Sequence, residues 1–177
     1  MKENIERIEN LIRNIPDFPK PGIQFKDITT LLGSPGGFEA AVNEMLRLSP
    51  EDIDVVAAIE SRGFLFGAPM ALAMQVPFVP IRKPGKLPGA VYEQSFDLEY
   101  GSSVLSMHQD ALKPGQRVLL VDDLLASGGT LIAAAKLIEL GGASVEHTTV
   151  LIELAELPGR ETLSANGLTS LASVVVC

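Results

Sequence analysis

Residues 118–138 hold the feature that most restricts the fold. An apolar run, Val118-Leu119-Leu120-Val121, leads into two carboxylates, Asp122-Asp123, and then a small-residue loop, Ala126-Ser127-Gly128-Gly129-Thr130. Leu131, Ala134, Ala135 and Ile138 follow at i, i+3, i+4 and i+7, a helical stripe that Gly141-Gly142 ends. A continuous apolar run predicts a strand covered on both faces, which is the habit of parallel sheets under helices. The unit therefore predicts a buried strand with carboxylates at its carboxyl end, a Gly-rich turn and a helix.

The same alternation recurs. Val55-Val56-Ala57-Ala58-Ile59 is a second buried strand, helical sequence follows from about Phe64 to Met74, and residues 78–81 form another strand. Pro69 either kinks that helix or delays its start. Residues 145–152 read as a fourth sheet strand. Strands and helices alternating at this length imply right-handed βαβ units, hence an α/β, Rossmann-like and mostly parallel sheet flanked by helices. Ahead of it, Ile5, Ile8, Leu11, Ile12 and Ile15 predict a helix stopped by Pro16, and three prolines within residues 16–21 predict a stiff loop. Ser34-Pro35 opens a further helix carrying Phe38, Ala41, Val42 and Met45. Residues 83–107 form a polar, Gly-bearing insert with weak strand character, expected as a hairpin or flap.

The chain has 177 residues, enough for one domain with a self-sufficient core, and no repeat or low-complexity segment. A net charge of −8 excludes a broad basic face for coating nucleic acid, but not a small basic pocket. A single cysteine, Cys177, rules out an internal disulfide, and His108 and His147 are too far apart to suggest a metal centre. Neither histidine nor Cys177 is assigned a catalytic part. The charged N-terminus does not resemble a signal peptide. The uncharged residues 63–81 contain Pro69, Pro77 and Pro80 and read as buried helix and strand, so a cytoplasmic protein is expected.

Ligands of open α/β sheets bind outside the carboxyl ends of the strands. There, Gly128-Gly129 lets backbone N–H groups and a helix start approach an anion, and Ser127 and Thr130 add hydroxyls. Carboxylates beside a phosphate cradle make sense when the ligand includes a sugar, whose vicinal hydroxyls donate to them. The segment thus fits a ribose 5-phosphate. Walker A and G-x-G-x-x-G spacings are absent, which removes the ATPase and dinucleotide fingerprints. Taken singly, each aspartate reads equally well as a turn residue or helix cap. Glu60-Ser61-Arg62-Gly63 is a second strand-end anion loop, and Arg82, Lys83 and Lys86 put three cations within five residues of an acidic chain.

Residues 118–130 resemble the phosphoribosyl-diphosphate (PRPP) motif of type I phosphoribosyltransferases. Residues 16–32 (PDFPKPGIQFKDITTLL), 60–67 (ESRGFLFG), 77–89 (PFVPIRKPGKLPG) and 98–101 (LEYG) extend the resemblance over nearly the whole chain to the family's adenine-specific bacterial branch. Two departures stand out: Ser127 replaces an expected Thr, keeping the hydroxyl, and the C-terminus lacks an aromatic ending. The resemblance implies the type I phosphoribosyltransferase fold, one domain over 1–177, with an N-terminal helix and base-binding loop in 1–33 and a flexible hood in 83–101.

It also implies roles. Asp122 and Asp123 hold the PRPP ribose, while Ala126, Ser127, Gly128, Gly129 and Thr130 bind its 5-phosphate. Ser61, Arg62, Arg82, Lys83, Lys86 and Tyr100 receive diphosphate, with a cis peptide expected at Glu60-Ser61. Arg62 and Glu99 are the catalytic candidates, and Glu99 handles the purine proton. Gln24, Phe25 and Lys26 bind adenine, by stacking on Phe25 and through main-chain groups of the other two. The implied cofactor is Mg2+, held mainly by PRPP with support from Asp122 and Asp123. Substrates and products are PRPP, adenine, AMP and diphosphate, and the implied assembly is a homodimer. Two rivals remain: a PRPP- or nucleotide-sensing regulator, against which the missing DNA-binding module speaks, and a transferase for xanthine or hypoxanthine.

Overall fold

The computed structural model describes residues 2–98 and 101–177 of the chain. It divides into two compact units, Met1–Glu44 and Met45–Cys177.

In the first unit, α1 (Lys2–Asn10) is followed by a two-stranded antiparallel ribbon, β1 (Arg13–Pro16) and β2 (Gln24–Asp27). The expected helix over Ile5 to Ile15 therefore stops early. Leu11 and Ile12 close a tight turn onto the carbonyls of Ile8 and Glu9, and residues 13–16 leave the helix to pair with 24–27. Tertiary pairing overrides the apolar periodicity there, and Arg13 sits opposite Asp27 in the ladder with Nη2 2.6 Å from Oδ2. The proline-rich segment is the loop of this ribbon. Its Phe18-Pro19 bond is cis, and Asp17 Oδ1 accepts from the Gly22 N–H at 2.7 Å. A short helix, α2 (Thr29–Leu32), precedes α3 (Pro35–Leu48). Pro35 opens α3 as expected, and Ser34 Oγ accepts from the Gly37 N–H at 3.3 Å.

The second unit is built on five parallel strands in the order β4-β3-β7-β8-β9. They are β3 (Val55–Ile59), β4 (Phe78–Ile81), β7 (Arg117–Leu125), β8 (Ser144–Glu153) and β9 (Leu171–Val176). Every residue of β3 is buried, as its unbroken apolar run requires. Helix α4 (Arg62–Met74) returns the chain from β3 to β4, and α5 (Gly129–Leu140) from β7 to β8. These crossovers run in opposite directions, so right-handedness puts the helices on opposite faces. On one side, a Cβ built on Gly67 would lie 2.5 Å from Ala58 Cβ and 3.7 Å from Val121 Cβ. On the other, Ala57, Ile59, Val118 and Leu120 join Leu131, Ala134 and Ile138 in one apolar core. Pro69 lies inside α4 and does not delay its start.

Two strands, β5 (Val91–Leu98) and β6 (Gly101–His108), form a separate antiparallel hairpin, in keeping with the hairpin expected of the insert. Its Arg82–Ser106 bridge fastens β6 to the chain leaving β4. Further features of the second unit lay beyond the sequence reading. The strand β7 continues through Leu125, so Asp122 and Asp123 belong to the strand itself. Helix α6 (Gly159–Ala165) and strand β9 were not anticipated, because the C-terminal segment carries no long periodic run. Among the described residues, no helix is long and apolar enough to cross a membrane.

Candidate functional site

The chain leaves β3 toward β4 on one side and later enters β7 on the other side of β3. The strand order thus reverses between β3 and β7, where an open α/β sheet forms a crevice at its carboxyl edge. Register places the predicted blocks there. Ala58 pairs with Val121 and Ile59 with Ile81, so residues 60–62, 82–86 and 122–130 all emerge at one edge of three neighbouring strands.

Asp122 and Asp123 are both buried. Asp122 Oδ1 accepts from the Asp123 N–H at 2.9 Å. Burial holds the Asp122 carboxyl well above the usual carboxylate range, and the neighbouring Asp123 charge pushes the same way. Burial also raises Asp123, against the pull of the Arg62 guanidinium. Arg62 Nε lies 2.9 Å from Asp123 Oδ2 as an ion pair, yet that oxygen has no aligned hydrogen bond. Arg62 is the first residue of α4, where a cation opposes the helix dipole, and Asp123 answers that charge. Gly63 comes next because the helix start nearly touches β7: a Cβ there would lie 2.9 Å from Asp122 Oδ1 and 3.1 Å from the Val121 carbonyl.

The loop after β7 has the shape of an anion cradle. Gly128, at φ +90°, caps α5 in the left-handed region, and Ser127 is exposed while Ala126, Gly129 and Thr130 are half-buried. The first amides of an α-helix have no acceptor within the helix and point to its N-terminal side. Behind the loop, α6 packs so closely that a Cβ on Gly159 would collide with the Ala126 carbonyl, and the Leu154 N–H donates to the Leu125 carbonyl at 3.0 Å. Arg160 clamps the buried Glu153 through Nε at 2.8 Å and Nη2 at 2.6 Å. This brace was missed in the sequence, where Gly159-Arg160 carries no recognisable spacing.

The Glu60-Ser61 peptide bond is cis, as the resemblance implied. Ser61 is the exposed cap residue of α4 and its side chain makes no capping bond. Glu60 was passed over as a functional side chain, although it sits beside Ser61 and Arg62 at the strand end. Its Oε2 accepts from Arg82 Nε and from the Lys83 N–H, each at 2.9 Å. Arg82 Nη1 donates to the Lys86 carbonyl at 3.1 Å, which closes the turn carrying the three cations.

Gln24, Phe25 and Lys26 form the start of β2 in the first unit, where the Phe18 ring meets Phe25 edge-on at 5.0 Å. Glu99 and Tyr100 lie outside the described residues. His108 ends β6 with Nε2 2.7 Å from the Pro88 carbonyl, and His147 Nδ1 is 2.7 Å from Ser170 Oγ. Among the described residues no cluster of three or more His, Cys, Asp or Glu could hold a metal ion alone. The pair Asp122-Asp123 offers the one or two carboxylates that Mg2+ takes when substrate and water complete its shell, with Asp123 Oδ2 shared with the Arg62 ion pair.

A family profile for the phosphoribosyl transferase domain matches residues 36–165. An adenine phosphoribosyltransferase from Cutibacterium acnes is 53% identical over 168 residues, 95% of each chain. The crystal structure of an adenine phosphoribosyltransferase from Thermoanaerobacter pseudethanolicus superimposes with a TM-score of 0.93 at 46% identity, covering 98% of this chain and 99% of that one. The Saccharomyces cerevisiae enzyme, complexed with an imino-altritol bisphosphate and adenine, gives 0.90 at 33% identity over 98% and 99%. Four sequence blocks, the switch-point crevice and this likeness end to end agree, and the chain belongs to the adenine phosphoribosyltransferases of the phosphoribosyltransferase family.

Proposed function

We propose that the chain transfers the 5-phosphoribosyl group of PRPP to adenine, releasing AMP and diphosphate. The observation that carries this reading is the register of β4, β3 and β7, by which a buried acid pair, a Gly-rich helix start and a cationic turn follow the ends of three adjacent strands at one sheet edge. A sugar with vicinal hydroxyls and phosphates at both ends matches those three parts in that order. The yeast relative holds an imino-sugar bisphosphate together with adenine, which supports the same pair of ligands here.

In this reading Asp122 and Asp123 accept hydrogen bonds from the ribose hydroxyls and fix the sugar. Amides and hydroxyls of residues 126–130 hold the 5-phosphate. Ser61, Arg62, Arg82, Lys83 and Lys86 receive the diphosphate as it departs, so positive charge is in place where negative charge develops. A purine nitrogen attacks the anomeric carbon as the bond to diphosphate breaks, and positioning and charge neutralisation suffice without a covalent enzyme intermediate. Asp122 and Asp123 would support Mg2+ bound with PRPP, and that ion would supply charge neutralisation to the diphosphate leaving group. The resemblance supports a hood role for the β5–β6 hairpin, with Glu99 managing the purine proton and Tyr100 receiving diphosphate. Gln24, Phe25 and Lys26 take the adenine. The resemblance further supports a cytoplasmic homodimer.

Incubation with PRPP, Mg2+ and adenine, hypoxanthine or xanthine tests the proposal. AMP and diphosphate are expected from adenine alone. PRPP binding without any product would mark a sensor, and product from an oxopurine in preference to adenine would reassign the base.

A further inference from the structure

Glu60 places a carboxylate at the point where the proposed site gathers diphosphate, which needs a reason. Its side chain is 11% exposed, and one oxygen, Oε2, accepts from both Arg82 Nε and the Lys83 N–H. The Glu60 N–H donates to the Ile81 carbonyl at 2.9 Å. Backbone and side chain together therefore sew the end of β3 to the first two residues beyond β4. Arg82 is pinned again by its own backbone, which exchanges hydrogen bonds of 2.9 and 2.7 Å with Ser106 of the hairpin, and by Nη1 on the Lys86 carbonyl. An arginine with Nε engaged and its backbone fixed from both sides keeps few rotamers.

We infer that Glu60 is a positioning residue: its carboxylate aims the Arg82 guanidinium and holds the cationic turn of residues 82–86 in the geometry that receives diphosphate. The inference rests on the proposed role of Arg82. It explains an anion at an anion site, because a half-buried guanidinium left unpaired is free to swing, whereas one clamped at Nε is oriented before the ligand arrives.

Glu60→Gln separates charge from shape, since the amide oxygen still accepts from the Lys83 N–H while the ion pair to Arg82 is lost. Calorimetric titration of the full chain with magnesium diphosphate, on wild type, Glu60→Gln, Arg82→Ala and the double variant, tests the inference. Glu60→Gln is expected to weaken diphosphate at least tenfold with little change in Tm, and to add nothing in the Arg82→Ala background. Glu60→Asp, one methylene short of Arg82, is expected to weaken binding similarly. Unchanged binding in Glu60→Gln, or a loss that persists in full without Arg82, overturns the positioning role while leaving Arg82 as a ligand. Unchanged binding in Arg82→Ala alone overturns the role of Arg82 itself, and this inference with it.

Discussion

Asp122 occupies a place where an ionised carboxylate is costly. It is buried, its neighbour is another aspartate, and the cation in reach, Arg62, is paired to that neighbour. A stability-driven sequence would put an amide there. Asp122→Asn keeps an oxygen for the Asp123 N–H and removes the charge, so it should raise stability by about 1–2 kcal/mol near neutral pH, roughly 2–8 °C in Tm for a chain this long. The sign follows from linkage. The carboxyl is raised in the folded state, so its stabilising contribution is complete below the unfolded value of 3.8 and is lost as pH rises through the folded value. The gap between variant and wild type should therefore widen with rising pH. Activity should move the other way, falling about 100-fold or more as one acceptor for the ribose hydroxyls is weakened. Thermal melts from pH 4 to 8 beside turnover assays check both, and a variant that is neither stabilised nor impaired would make Asp122 an ordinary strand residue.

Elements were legible where one force acted alone. Buried strands such as β3 and the stripe of α5 are dictated by burial, and burial is written in apolar periodicity. The end of α1 was not, because residues 11–16 satisfy a helical pattern that pairing with β2 overrules through backbone bonds and the Arg13–Asp27 pair. The acid pair and the Gly-rich loop were readable from adjacent residues, and the Glu60-Ser61 cis bond only through the family resemblance. The Glu60 clamp and the Gly159 brace were not, since each joins segments that only the folded sheet makes neighbours. Helix α4 shows how close such neighbours come. A Cβ on Gly67 would lie 2.5 Å from Ala58 Cβ and 3.1 Å from the Phe78 ring, with sheet backbone behind both. Gly67→Ala gains about 1 kcal/mol in helix propensity and should lose about 1–3 kcal/mol to overpacking. A net destabilisation is expected in denaturant melts; a gain would mean that α4 can lift off the sheet without cost.

At the scale of the whole molecule, the other side of α4 raises the question of what covers it. The helix is apolar almost all round, and Leu65 and Leu72, two turns apart on one stripe, are 39% and 81% exposed. A helix apolar on every side is ordinarily buried on every side, and the sheet packs against the face carrying Gly63 and Gly67, whereas Leu65 and Leu72 face away from that burial. The proposed homodimer would supply a cover, because a twofold contact lays the same patch of one copy on its counterpart. This helix also begins at Arg62, so dimerisation would stiffen the element that presents this proposed diphosphate ligand. Wild type is expected to sediment as a dimer. Leu72→Glu, which sets two like charges against each other across a self-contacting face, is expected to shift it to monomer without loss of secondary structure. A Leu72→Glu variant that remains dimeric would place the interface elsewhere, and a monomeric wild type at assay concentration would remove the dimer from the proposal while leaving the chemistry of the crevice untouched.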